Sequence, residues 1–206
     1  MQVGDMSHVP NILSFFRVIA APFFFFMVTS QNSFAVQSGV ALFIIGAMTD
    51  YFDGFIARRN KIVSAFGKFI DPLADKFLTT AAFFAFVRLD VIPLWMVVVI
   101  VVRDFGMTAL RLYGDRVRQP IVTSRSAKIK TFLQMCFIAY VLTLLTFQYL
   151  PFPALAAETR LLMNSTVTYL VMLALTLYTV WTIVEYLFFN RILVARLCRI
   201  PLKETP

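Results

Sequence analysis

The sequence predicts an all-α, polytopic membrane protein with six transmembrane helices and with both termini in the cytoplasm. Of its 206 residues 60% are hydrophobic and 23 are phenylalanine, and the mean hydropathy is +0.79. A soluble domain of this length is far less apolar. Apolar stretches of about 20 residues, each able to cross roughly 30 Å of hydrocarbon, recur six times. They cover residues 12–29, 34–52, 69–87, 91–113, 129–150 and 161–189.

The first stretch has the position of a signal peptide, but no Lys or Arg precedes it and no clear small-residue cleavage site follows. We therefore predict a retained helix. The later stretches are separated by polar connections, and prolines stand at or between the predicted ends, where a missing backbone N–H does least harm. These prolines are Pro10, Pro93, Pro120, Pro151 and Pro153.

The chain is predicted to form one membrane domain, residues 1–206. Residues 1–10 are too short for a domain and are predicted to form a surface segment. Residues 190–206 continue an alternation of basic and apolar positions, which is typical of a tail along the cytoplasmic interface.

Basic residues predict the orientation. Most Lys and Arg lie after the second stretch, after the fourth stretch or in the C-terminal tail, whereas the opposite connections carry only Arg88 and Arg160. The positive-inside rule then places both termini and the basic connections in the cytoplasm. The net charge of +8 follows from this topology and from anionic lipid headgroups. Nucleic-acid binding is not predicted, because it would need a soluble basic face.

Four aspartates interrupt this apolar chain at helical spacing. In the second stretch, residues at intervals of three and four share one helical face, and the returning helix repeats the pattern. The first set is Asp50, Asp53, Gly54 and Ala57, and the second is Gly67, Asp71 and Asp75. Close carboxylates are costly to ionise together, and a hard divalent cation removes that cost. Oxygen ligands alone favour Mg²⁺ or Mn²⁺ over zinc.

The small residues beside these aspartates indicate a bulky ligand. Gly54, Ala57 and Gly67 would let such a ligand approach the helix backbone. Arg58, one turn from Asp53, suits a phosphate oxygen. A metal, small residues and an arginine together predict a diphosphate site; the alternative is that the aspartates cap helix ends or pair with nearby Lys and Arg.

Residues 50–75 fit the pattern D-x2-D-G-x2-A-R-x8-G-x3-D-x3-D at every fixed position. In this the chain resembles the CDP-alcohol phosphotransferase family, membrane enzymes that transfer a phosphatidyl or related group from a CDP-linked donor to an alcohol and release CMP. The resemblance implies a homodimer and two metal ions, with Asp75 as the general base. It implies that Asp50, Asp53 and Asp71 hold the first ion and Asp50, Asp71 and Asp75 the second. Donor contacts are implied for Asn11, Gly54, Ala57, Arg58, Ser64 and Gly67.

A second group of residues predicts the acceptor. Arg103 lies inside the fourth stretch, Arg111 follows two turns later, and Lys128 and Lys130 begin the fifth. Together they could form a cationic pocket for an acceptor that carries phosphate, such as glycerol 3-phosphate or inositol phosphate. Two alternatives stay open: Arg103 could pair with Asp104 or with an active-site aspartate, and Arg111 could extend to the membrane interface.

Three further segments resemble the bacterial phosphatidylglycerolphosphate synthase branch of that family. They are NILSFFRVIAAP, RDFGMTALR and AKIKTFLQM, with Asp104 where Glu is usual and Ala127 where Gly is usual. This resemblance implies transfer of the phosphatidyl group from CDP-diacylglycerol to sn-glycerol 3-phosphate. It also implies a multi-pass protein of the cell (inner) membrane with its active site at the cytoplasmic face, among membrane lipids.

Two other functions compete with this hypothesis. The same chemistry could use another acceptor: inositol phosphate, serine or phosphatidylglycerol. A cation transporter would also place carboxylates within the membrane. Against transport, all four aspartates lie near one membrane face, and no ionisable residue continues a path through the outer halves of the second and third stretches.

Overall fold

The computed structural model describes residues 9–60, 67–116, 124–150 and 152–189. For the helical residues 9–13, 50–60, 67–72, 75, 115 and 189 it describes the backbone alone. The predicted surface segment 1–10 and the tail 190–206 therefore lie wholly or mostly outside the described residues.

Helices account for all the regular structure in the described residues, and no strand occurs there, which confirms the all-α prediction. The helices are α1 (Val9–Val28), α2 (Ser33–Asn60), α3 (Gly67–Arg88), α4 (Leu94–Arg116), α5 (Arg125–Gln148), α6 (Pro153–Met163) and α7 (Thr166–Phe189). Two of them, α5 and the segment Thr166–Phe188 of α7, are long and apolar enough to cross a membrane by length and composition.

The predicted sixth stretch is divided in the structure. Helix α6 ends at Met163 and α7 begins at Thr166, so the helix breaks where the prediction ran straight through. The Ser165 hydroxyl explains the break, because it accepts a hydrogen bond from the Thr168 N–H at 3.2 Å and so caps the first turn of α7. At the other end of α6, Pro153 stands in the first turn, where its missing N–H is harmless.

The core lies where α1, α2 and α3 pack together and where α5 closes against α2, α3, α6 and α7. Phe137 of α5 stacks on Phe83 of α3 with ring centroids 6.5 Å apart, and its edge meets Phe86 at 6.4 Å. Many large apolar side chains instead point outward; Phe26, Leu161 and Phe188 are each at least 70% exposed. A belt of exposed apolar side chains of this size is typical of a lipid-facing surface.

Two tight turns hold neighbouring helices antiparallel. After α1, the Asn32 side chain accepts a hydrogen bond from the Phe34 N–H at 2.9 Å at the start of α2. After α3, the Val91 N–H returns to the Phe86 carbonyl at 3.0 Å, and Asp90 adopts a φ of 58°. This is the Schellman arrangement, which ends a helix sharply. It sends α4 back along α3, so that the last turns of α4 lie beside the first turns of α3.

Candidate functional site

The motif aspartates lie on two helices that follow each other in the chain. Asp50 and Asp53 belong to the final turns of α2, and Asp71 and Asp75 to the first turns of α3. Only residues 61–66 separate the two helices, and Ser64 is among these, outside the described residues. The continuous helices expected for both halves of the motif are therefore present. The described side chains do not include those of the four aspartates, nor those of Asn11, Ala57 and Arg58. Any contacts of Gly54 and Gly67 likewise lie outside the described part of the structure.

The donor set of the motif fits a hard divalent cation. It offers four carboxylates and neither sulfur nor imidazole, which suits Mg²⁺ or Mn²⁺. Among the side chains that the structure describes, no three His, Cys, Asp or Glu residues come together as a metal site. The aspartate pair on α2 and the pair on α3 thus remain the predicted ligands.

The predicted acceptor residues converge on one cavity. A cavity of about 480 Å³ opens between α3, α4 and α5. Arg103 and Arg111 reach it from α4, Lys128 from α5, and Lys76 from α3. Lys76 directly follows Asp75, so this cationic cavity begins beside the second half of the aspartate motif.

Lys130, the fourth predicted acceptor residue, lies in the wall rather than on the surface of this cavity. Its side chain is fully buried, and its Nζ donates a hydrogen bond to Oδ1 of Asp104. The same Oδ1 accepts a hydrogen bond from Nη1 of Arg103 at 3.2 Å. The alternative considered for Arg103, a pair with Asp104, is therefore present.

This cluster carries an excess of positive charge. Two cations, Arg103 and Lys130, share the one carboxylate of Asp104, which is 7% exposed. Burying such charges is costly unless each has a partner and a fixed geometry. Arg103 gains a further partner, since its Nε donates to the Thr182 hydroxyl of α7 at 3.2 Å. The remaining positive charge lies against the cavity and favours an anion there.

Arg111 and Lys128 differ from the two buried cations. Both are exposed, and within the described part of the chain neither forms an ion pair with a carboxylate. Their guanidinium and ammonium groups are therefore the donors of this cavity most accessible to a dissolved phosphate.

Sequence reasoning missed the contribution of α7. Ser124 and Ser126, at the start of α5, both donate hydrogen bonds to Oε2 of Glu185 on α7. The sequence did contain a signal for this contact, because Glu185 is the one charged residue between Thr166 and Phe189. An isolated carboxylate in an apolar helix requires a partner.

Two apolar grooves flank α5. One, of about 730 Å³, lies between α2 and α5 and extends along α2 as far as Met48, two residues before Asp50. The other, of about 640 Å³, lies between α5 and α7. Their linings are almost wholly apolar, which suits hydrocarbon chains.

Comparison with known proteins supplies a family. The family described as CDP-alcohol phosphatidyltransferase matches residues 7–184 of this chain. Over 161 residues the chain is 35% identical to the Bacillus subtilis protein named CDP-diacylglycerol–glycerol-3-phosphate 3-phosphatidyltransferase, covering 72% of this chain and 83% of that relative.

Two further relatives carry related names. A Rickettsia typhi protein with the same name is 36% identical over 130 residues, which cover 63% of this chain and 73% of the relative. A Mycobacterium tuberculosis protein named probable phosphatidylglycerophosphate synthase is 36% identical over 132 residues, covering 63% of each chain.

Proposed function

This chain belongs to the CDP-alcohol phosphatidyltransferase family, and we infer that it transfers the phosphatidyl group from CDP-diacylglycerol to sn-glycerol 3-phosphate. The products are phosphatidylglycerol phosphate and CMP. The names of the relatives support this acceptor. The observation that carries it within the molecule is the cationic cavity lined by Arg103, Arg111 and Lys128. The cation transporter considered as an alternative is not supported, because the family is one of transferases.

On the donor side, we propose that Asp50, Asp53, Asp71 and Asp75 hold two Mg²⁺ or Mn²⁺ ions. When bound, such ions neutralise negative charge on the diphosphate and on the departing CMP. The remaining donor contacts are proposed for the residues that the family pattern implies: Asn11, Gly54, Ala57, Arg58, Ser64 and Gly67. Arg58 binds a phosphate oxygen through its guanidinium group.

On the acceptor side, Arg111 and Lys128 bind the phosphate of glycerol 3-phosphate. Beneath them, the excess positive charge of Arg103 and Lys130 over Asp104 adds to the attraction. Lys76 lines the same cavity and follows Asp75 in the chain. We propose that a phosphate bound in this cavity leaves its glycerol hydroxyl within reach of Asp75. A neutral alcohol would not use these cations, and serine, whose carboxylate is offset by its own ammonium group, would use them less than a phosphate ester does.

The reaction we propose is a direct in-line displacement. Asp75 accepts the proton of the attacking hydroxyl as the oxygen bonds to the lipid-linked phosphorus, and the bond from that phosphorus to the CMP oxygen breaks. Because both substrates are held in this alignment, the bimolecular reaction becomes effectively unimolecular, which lowers its entropic barrier. A covalent phospho-aspartate is the alternative route.

We propose that the protein has six membrane spans, one domain covering residues 1–206, and cytoplasmic termini, in the cell (inner) membrane. CMP and glycerol 3-phosphate are water-soluble, so the active site belongs at a membrane–water interface, and the positive-inside rule favours the cytoplasmic one. The apolar groove between α2 and α5 ends next to Asp50 and offers a path for an acyl chain of the donor. A homodimer is proposed from the family pattern.

The test is CMP release by purified protein in detergent. CDP-diacylglycerol and Mg²⁺ or Mn²⁺ are supplied with glycerol 3-phosphate, inositol phosphate, serine or phosphatidylglycerol in separate reactions. We expect CMP with glycerol 3-phosphate. If none of the four acceptors gave CMP, the proposed transferase activity would be overturned. If only an acceptor other than glycerol 3-phosphate gave CMP, the choice of glycerol 3-phosphate would be overturned.

The proposed metal ligands are tested by Asp71→Ala. Because Asp71 is assigned to both ions, its loss is expected to reduce kcat by at least about 100-fold. Asp90→Asn is the matched control, since it removes a carboxylate just beyond the other end of α3 and Asn tolerates the positive φ there. Near-normal turnover in a folded Asp71→Ala protein would contradict the two-ion site.

A further inference from the structure

The start of α5 is tied to α7 by a partly buried network around one carboxylate. Oε2 of Glu185 accepts a hydrogen bond from the Ser126 hydroxyl and another, at 3.3 Å, from the Ser124 hydroxyl. The Ser124 oxygen in turn accepts the Ala127 N–H at 3.3 Å and so caps α5. The carboxylate, the two serines and the first turn of α5 therefore form one connected unit.

The place of Glu185 explains why a carboxylate is found there. It lies at the N-terminal end of α5, where unpaired backbone N–H groups give the helix a partial positive charge. Its partners within the described part of the chain are hydroxyl groups rather than a cation. The Glu185 carboxylate is therefore held by the N-terminal end of α5 itself. Removing this carboxylate would remove the two serine hydrogen bonds that fix the start of α5 to α7.

The same face of α7 also contacts α4. Thr182, one turn before Glu185, accepts the hydrogen bond from Nε of Arg103. Tyr178, two turns before Glu185, donates a hydrogen bond to the backbone carbonyl of Ser126 at 3.5 Å. Positions 178, 182 and 185 lie along one helical stripe. This stripe of α7 contacts the two helices that carry Arg103, Arg111 and Lys128.

We propose that Glu185 is a positioning residue for the acceptor site, which holds the first turn of α5 so that Lys128 faces Arg111 across the cavity. Lys128 follows Ser126 by two residues and lines the cavity, whereas Glu185 is not part of the cavity lining. Glu185 thus acts through α5 and does not touch the substrate. This inference rests on the proposed function, because it assigns the cavity to the acceptor phosphate.

The first test is Glu185→Leu, measured as separate Michaelis constants for the two substrates. Loss of both serine hydrogen bonds is expected to raise KM for glycerol 3-phosphate about tenfold, because Lys128 is no longer fixed. KM for CDP-diacylglycerol and kcat should stay within about twofold. Glu185→Gln should recover most of the loss, because its carbonyl oxygen still accepts a serine hydroxyl. Glu158→Leu, on α6 at the far end of α5, is the matched control for loss of a carboxylate.

The second test asks whether the serines and Glu185 act as one unit. Ser124→Ala with Ser126→Ala should raise KM for glycerol 3-phosphate as Glu185→Leu does, and the triple variant should show no further increase. Additive effects would overturn the proposal, as would equal increases in both Michaelis constants or an unchanged KM for glycerol 3-phosphate. Failure of the proposed function is distinguishable, because the unaltered protein would then release no CMP with glycerol 3-phosphate.

Discussion

Asp104 is the residue that joins the buried charges of this protein. Its carboxylate is shared by Arg103 and Lys130, which reach it from α4 and α5. The sequence marked this position as a departure, an aspartate where the family pattern has glutamate. The structure identifies the partners that the shorter side chain contacts.

We expect Asp104→Asn to destabilise the protein markedly. It would leave Lys130 buried without a counter-charge, which costs about 3–5 kcal/mol and lowers Tm by about 10 °C for a chain of this size. Thermal unfolding in detergent measures the change, with Asp104→Glu expected to stay within a few degrees of the unaltered protein. An Asp104→Asn protein that melts at the unaltered temperature would show that the pair contributes nothing.

Arg111 tests the acceptor assignment at the scale of one side chain. Arg111→Ala should raise KM for glycerol 3-phosphate about 10- to 100-fold, the loss expected for a charge-assisted hydrogen bond, while KM for CDP-diacylglycerol changes little. Arg160→Ala removes an exposed arginine from α6 and serves as the control. Equal effects on both Michaelis constants would place Arg111 outside the acceptor pocket.

At the scale of elements, hydropathy predicted five helices to within a few residues at most of their ends. The last turns of α2 run beyond its apolar stretch to Asn60, as the helical spacing of the aspartate motif required. The break between α6 and α7 falls on the short polar run Asn164, Ser165 and Thr166. Hydropathy averaged over about 20 residues passes over so short a run, although Asn and Ser are typical of turns and helix N-caps. The break depends on a local hydrogen bond of Ser165.

Candidate cations of the site could also be identified from the sequence, but their partners could not. Residue types and helical spacing selected Arg103 and Lys130, whereas their burial depends on how α4, α5 and α7 pack. Thr182 lies 79 positions from Arg103 along the chain, and Glu185 lies 59 from Ser126. Contacts of that separation follow from tertiary packing, which a single sequence does not specify.

Close packing of α1 on α2 gives a prediction for a glycine. A Cβ added at Gly39 would lie 3.0 Å from the Met27 Cβ and 3.2 Å from the Val28 backbone nitrogen, neither of which can rotate away. Gly39→Ala should therefore destabilise the protein by about 1–3 kcal/mol. Gly106→Ala, where no atom lies within 4 Å, is the matched control and should leave the melting temperature unchanged or raise it slightly, because Ala favours a helix interior over Gly. Equal melting temperatures for the two variants would contradict this packing.

For the whole molecule, the described contacts bring the start of α5 and the ends of α4 and α7 together, with the motif end of α3 beside them. Basic residues concentrate on the same side, and the positive-inside rule predicts that this side is cytoplasmic. Donor motif and acceptor cavity are thus expected to share one aqueous face, as a reaction between a CDP-lipid and a dissolved phosphate ester requires.

That orientation is tested with thiol labelling. In a background with Cys136 and Cys198 replaced by serine, a membrane-impermeant maleimide should label Glu158→Cys in right-side-out vesicles. It should label Arg116→Cys only after permeabilisation, because that position ends α4 at the side proposed to be cytoplasmic. The reverse pattern would invert the proposed topology and move the active site to the other face.

The central claim is that this protein joins the phosphatidyl group of CDP-diacylglycerol to glycerol 3-phosphate. The most direct measurement supplies ¹³C-labelled glycerol 3-phosphate to the purified protein and follows the lipid product by mass spectrometry alongside CMP. We expect labelled phosphatidylglycerol phosphate to form with a matching amount of CMP. CMP release without label in the lipid, or no lipid product at all, would contradict the claim.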